Sequence, residues 1–309
     1  MMFLTNKKDS GFVLVNALVL VAAMAAIATF LLSKAEQGRN RLAASQTADQ
    51  LVLYLDSFEA LATTSLSNDR LNGAIDSFAD EWANANYALN VDRGEIAGAI
   101  TDMQSLFNLN WLLVSGNDQA QDALKRLLLS ISVSPKTGDS IIEFIQPGGP
   151  NQIDGYLRQF PPIRPTGGAL VMFDQLSQIP NITVTELEKL RSYVTVLPNL
   201  TAININTVSR EVLASLLPDL SLARINTLIA ARRAAPFETV EAFTQQIELW
   251  LGTSLDEIWP ADRWTVGSEW FQVDVNASLD GQFAVRRAAL FRQALPAGIT
   301  TEWRLSYFP

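Results

Sequence analysis

Residues 12–32, FVLVNALVLVAAMAAIATFLL, run for 21 positions without a charged side chain. As a helix rising ~1.5 Å per residue the run is ~31 Å long, the thickness of a bilayer's hydrocarbon core. A cleaved secretory signal has a shorter apolar region, ~7–15 residues, and small residues after it. Here Ser33, Lys34, Ala35 and Glu36 follow, with no such site. The segment is therefore expected to be kept as a transmembrane helix. Lys7 and Lys8 place its leading end in the cytoplasm by the positive-inside rule, while Lys34, Arg39 and Arg41 on the far side weaken that bias. A polar amide, Asn16, sits near the front of the run.

Composition narrows what the remaining chain does. With 309 residues, 48% of them apolar, it can bury one large core or two modest ones. It has no histidine and no cysteine. That removes disulfides, thiolate metal sites and Ser-His-Asp or Cys-His catalysis, and leaves an enzyme a poor reading. The net charge is −9 and no basic stripe stands out, which argues against a duplex-DNA binder.

Leu42, Leu51, Leu55, Phe58 and Leu61 recur near helical spacing, so the helix should continue past the membrane to a break around residues 68–73, about fifty residues in all. Two short strands are expected at 87–91 and 96–101 around VDRGE. From FNLNWL (107–112) to about Trp259 the pattern is mostly helical, with Thr183 or Thr185 as an N-cap and a Gly/Pro-rich loop at 147–168. The last forty-odd residues alternate: Phe271, Val273 and Val275 on one face, then Phe283 and Val285 after LDGQ, then a third strand in EWRLSYF. Strands on both sides of a helical block predict an α+β fold, a long helix on an antiparallel sheet with a helical insertion.

The leader ends in Gly11, followed by Phe12 and the apolar run. This resembles the class III leader of type IV pilins and type II secretion pseudopilins. The resemblance implies cleavage between Gly11 and Phe12 by a prepilin peptidase, then N-methylation of Phe12. Most members carry Glu at the fifth mature position, where this chain has Asn16. A Glu there neutralises the ammonium of the subunit above it in an apolar filament core. A subunit with nothing above it needs no such group. The class that characteristically lacks the Glu is the large minor pseudopilin, the protein K family.

A second stretch, residues 202–243, reads Asn204-x-Asn206-Thr207, a helix, a hairpin at Pro218-Asp219-Leu220-Ser221, a second helix, Arg232-Arg233, then Pro236-Phe237. It resembles a helix-hairpin-helix (SAM-like) module. Asp219 and Ser221 replace the glycines that let backbone N–H groups approach a phosphate, and the stretch balances four basic against four acidic residues. It is therefore read as the scaffold without the phosphate site. The protein K family has such a module, together with an FNLN-type motif (Phe107 to Asn110) and a TVLP…INVNT junction (Thr195 to Pro198, Ile203 to Thr207). Some of its members bind calcium in the insertion. The matching segment here offers Asp139, Glu143 and Asp154, but puts Gln146 and Pro147 where acids are wanted; a surface loop without metal is the favoured alternative.

The resemblance spans nearly the whole chain and implies a leader at 1–11, a transmembrane helix at 12–32, the first part of a pseudopilin domain at 33–110, a helical insertion at 111–260 (helix-hairpin-helix at 201–245) and closing strands at 261–309. It implies a non-enzymatic tip subunit that starts and caps the type II pseudopilus for export of folded proteins. The domain would lie in the periplasm, anchored in the inner membrane. The implied partners are minor pseudopilins I and J, the major pseudopilin and the prepilin peptidase, with the secretin and exoproteins as further candidates and no nucleic acid. The rival reading is a membrane-anchored periplasmic DNA-binding or DNA-uptake protein that uses the helix-hairpin-helix.

Overall fold

A computed structural model describes residues 9–83, 87–113, 118–294 and 296–308; most of the basic leader, residues 1–8, lies outside the described residues. Helix α1 (Asp9–Asn72) is one helix of 64 residues, longer than the fifty expected. It contains no proline, and Ala and Leu dominate it, so nothing breaks it before Gly73.

Strands β1 (Tyr87–Val91) and β2 (Gly94–Asp102) follow, then β3 (Phe107–Asn108). The helical block comprises α2 (Asp118–Ser130), α3 (Pro135–Ile145), α4 (Asp154–Leu157) and α5 (Val184–Arg191). The short strands β4 (Val194–Thr195) and β5 (Ile203–Asn204) precede α6 (Arg210–Leu216), α7 (Leu222–Ala234) and α8 (Val240–Leu251). The chain closes with β6 (Trp264–Thr265), β7 (Trp270–Leu279), β8 (Gln282–Arg292) and β9 (Ile299–Tyr307).

The main sheet is antiparallel in the order β1-β2-β7-β8-β9, so the two halves of the sheet come from opposite sides of the insertion. Its hairpins are tight. Val91 pairs with Gly94 around Asp92 and Arg93, and Leu279 pairs with Gln282 around Asp280 and Gly281, both of which have positive φ (50° and 79°). The second half of α1 lies on this sheet through Leu51, Leu55, Phe58, Ala62 and Leu66, each at most 5% exposed. Burying each large apolar side chain there contributes about 1.5–3 kcal/mol. Helix and sheet approach so closely at Gly98 that an added Cβ would lie 2.5 Å from the Phe58 ring.

Two sequence expectations need correction. Leu42 and Leu61 are exposed; the buried stripe runs 51, 55, 58, 62, 66, one helical face. In β8 the buried face is the other one. Phe283 is exposed, and the residues turned toward α1 are Ala284, Arg286, Ala288, Leu290 and Arg292. Two arginines point inward because α1 supplies their counter-charges. Arg286 meets Asp56 and Glu59, and Arg292 meets Asp69.

The insertion has its own core, with Phe107, Trp111 and Trp259 packed edge to face. Thr183 is the N-cap of α5, in a reciprocal capping box with Glu186. The expected loop at 147–168 contains the short helix α4 and is closed by backbone bonds, Gly148 N to Thr166 O at 3.1 Å and Gly168 N to Ile145 O at 2.8 Å. The two-residue parallel pairs β3–β4 and β5–β6 were not legible as strands.

Candidate functional site: an exposed helix and the junction of two lobes

The first half of α1 packs against no other element among the described residues. Every described side chain from Phe12 to Leu32 is exposed, Phe12 by 71%. The helix is long and apolar enough to cross a membrane, with mean hydropathy 2.4 in its most apolar window. Exposed apolar side chains on this scale need lipid or other apolar helices. Gly11 and Phe12 lie in the opening turns of α1, and Asn16 stands one turn beyond Phe12 on the same face.

Beyond its other end, the loop that follows α1 meets the insertion. The polar residues of the two sequence motifs are the fasteners. Asn204, in β5, donates to Asp76 O at 3.0 Å, to Ser268 Oγ at 2.9 Å and to Asp102 Oδ2 at 3.2 Å. Asp102, at the end of β2, also accepts from Thr207 at 2.5 Å and Ser268 at 2.7 Å. Asn206 holds Phe237 through both its N–H and its C=O. The FNLN asparagines do the same for the TVLP segment. Asn108 accepts from Leu197 N and donates to Pro198 O, while Asn110 bridges Leu197 O and Leu170. Asn supplies both donor and acceptor, so a buried Asn can clasp a passing backbone on both sides.

Where α1 ends, three carboxylates gather around one guanidinium. Oxygens of Asp69, Asp76 and Asp80 lie within 4.8 Å of one another. Arg292 reaches into the group, bonding Asp69 at 3.1 Å and Asp76, with its guanidinium 4.7 Å above the Phe271 ring. Burial, then repulsion from Asp76 and Asp80, pushes the Asp69 carboxyl up to about 6. Burial likewise pushes Asp102 up to about 6, against the hydrogen bonds from Thr207 and Ser268. Nothing in sequence spacing signalled this group, which comes from the end of α1 and the loop after it.

The calcium candidates do not converge. Asp139 and Glu143 are exposed on α3, Asp154 opens α4, and among the described residues these three form no group of carboxylates within ligating distance. Asp139 instead lies 3.9 Å from Lys125. With Gln146 and Pro147 in the loop, the donor set does not fit the six to eight oxygens a calcium ion takes.

The hairpin between α6 and α7 is also committed elsewhere. Ser221 caps α7 by accepting from Arg224 N, so the helix N-terminus that a phosphate would use is occupied by its own side chain, and Asp219 is exposed beside it. Arg232 is turned inward, donating to Ile205 O at 2.6 Å and to Val208 O.

Two models of one protein family, described as "Type II secretion system (T2SS), protein K", match residues 105–199 and 203–253. The chain is 26% identical over 264 residues to the type II secretion system protein K of Klebsiella pneumoniae, covering 78% of this chain and 80% of that protein. It is 24% identical over 314 residues to the protein K of Pseudomonas aeruginosa, covering 93% and 90%. In fold it resembles a chain in the crystal structure of the GspK-GspI-GspJ complex of enterotoxigenic Escherichia coli, with a TM-score of 0.72 and 21% identity over 87% of this chain and all of that one.

Proposed function

Since the chain belongs to the type II secretion protein K family and is thereby a minor pseudopilin, we propose that it sits at the tip of the pseudopilus, where it starts assembly and caps the filament during export of folded proteins. The observation that carries this reading is the division of α1. Its first half is apolar and wholly exposed, its second half is fixed to the sheet, and a bulky insertion is fastened at its far end through Asp76 and Asn204. A helix of this kind packs laterally on like helices, and the insertion obstructs any subunit that would stack beyond it.

The same reading puts the anchor in the inner membrane and the folded domain in the periplasm. It makes the prepilin peptidase the enzyme that cuts between Gly11 and Phe12 and methylates Phe12. The protein K of the Escherichia coli structure is complexed with GspI and GspJ. The corresponding minor pseudopilins, followed by the major pseudopilin, are the partners we infer here. Asn16 fits a position with no amino terminus above it to neutralise.

Because the chain has no cysteine, a single one can be introduced cleanly. Cysteine at Ala22 or Ala26 should form disulfides with cysteines in the helices of minor pseudopilins I or J in intact cells. Absence of such crosslinks, with the protein present in the membrane, would remove the tip assignment.

A further inference from the structure

Four arginines are buried among the described residues: Arg232, Arg263, Arg286 and Arg292. Arg286 and Arg292 each face two carboxylates, and Arg263 has Asp262 at 3.9 Å. Arg232, 5% exposed, faces none among the described residues. Its two terminal nitrogens donate to the backbone oxygens of Ile205 and Val208, and its Nε has no partner among the described residues. Its neighbour Arg233 adds a second positive charge, exposed and without an ion pair among the described residues. Burial and then Arg233 hold the Arg232 guanidinium down to about 10, with no acid offsetting them. A buried charge without a counter-charge is costly, and pairing with an opposite charge offsets that cost.

Both arginines line a pocket of about 250 Å³. Ser77, Phe78 and Ala79 form its wall on the sheet lobe; Asn206 and Pro236 complete the wall on the insertion. The volume suits a small oxyanion, and guanidinium groups hold carboxylate and phosphate by paired N–H donors. We propose that this pocket is a binding site for a small oxyanion, a phosphate or a carboxylate, held by Arg233 over the charge of Arg232 and bridging the two lobes. The site lies at the opposite end of α7 from the hairpin, so it owes nothing to the phosphate-binding position of a helix-hairpin-helix. It is also independent of the tip assignment, which stands whether or not the pocket binds.

The test uses the full chain in detergent, with inorganic phosphate and acetate as separate probes against sodium chloride at equal ionic strength. Phosphate or acetate should raise the unfolding midpoint saturably at millimolar concentration, and the 31P line of phosphate should broaden with the protein. Arg233→Gln, at an exposed position that leaves the fold intact, should weaken the effect about tenfold, as loss of a charge-assisted contact would. A stronger effect of phosphate supports the site and assigns it to a phosphate group; a stronger effect of acetate supports it and assigns it to a carboxylate. An equal response in Arg233→Gln, or no response beyond the chloride control, overturns the proposal.

Discussion

Asn204 and Asp102 meet at 3.2 Å in the buried seam between the sheet and the insertion, 102 residues apart in the chain. Asp102 ends the second strand of the pseudopilin sheet, and Asn204 opens the junction of the inserted lobe. Their contact, with Ser268 and Thr207 on the same carboxylate oxygen, is where the insertion is made part of the fold. A rigid joint at this place is what the proposed tip position asks of the chain, if its insertion is to act with its helix.

Asn204→Ala should therefore destabilise more than a surface change. It strips the amide from three acceptors, one of them a buried carboxylate, and costs about 2–3 kcal/mol. Urea unfolding of the full chain in detergent gives the value. A loss under about 0.5 kcal/mol, the range of surface substitutions, would mean that the lobes do not depend on this seam.

The acid group gives a pH dependence of definite sign. The Asp69 carboxyl is raised from 3.8 to about 6 in the folded protein, so between about pH 4 and 6 the folded state holds the proton more tightly than the unfolded one. Its contribution to stability is favourable at low pH and is lost as pH rises through about 6. Asp102 acts in the same direction. Glu59, lowered from 4.5 by its bonds to Arg304 and Thr301 against the opposing effect of burial, acts in reverse and loses its contribution as pH falls through its lowered folded-state value. Asp69→Asn should gain on the wild type as pH rises from 4 to 6. A stability difference that stays flat over that range would contradict the raised carboxyl.

The inward arginine of β8 predicts an order of effects. Glu59, 6% exposed, binds Arg286 and also Arg304 and Thr301, whereas Asp56 is half exposed and, among the described residues, is ion-paired with Arg286. Glu59→Ala removes a buried carboxylate that also holds Arg304 and Thr301, leaves Arg286 only the solvent-exposed Asp56 as counter-charge, and should cost about 3 kcal/mol. Asp56→Ala should cost about 1 kcal/mol or less. The reverse order in thermal or urea unfolding would show that Asp56 is the true counter-ion.

Asn16 predicts a functional result. If no subunit stacks above this one, nothing pairs with position 16. Asn16→Ala should then secrete at wild-type level, while Asn16→Glu should gain nothing and place an unpaired carboxylate in an apolar bundle. A secretion defect in Asn16→Ala, with normal membrane levels of the protein, would show that the amide makes a contact the tip position does not require.

Much of this fold could be read from the chain because it is written in local patterns. The uncharged run, the two tight hairpins and the Thr183 cap each follow from a few adjacent residues. The junction was half legible. The asparagine motifs could be located, but their role depends on which distant backbone they clasp. The inward face of β8 was not legible, because Arg286 and Arg292 lie on it and a charged residue in an alternating strand looks solvent-facing. Only the acids of α1, more than 200 residues earlier, make the inward position tolerable. Asp69, Asp76 and Asp80 carry no motif at all, and the calcium acids lie near one another in sequence yet do not converge in space.

The most direct test of the account is mass spectrometry of the mature amino terminus from cells that have the secretion system and its prepilin peptidase. The account predicts a chain beginning at Phe12, with one methyl group on its amino nitrogen. An intact leader, or a terminus anywhere other than Phe12, would contradict it.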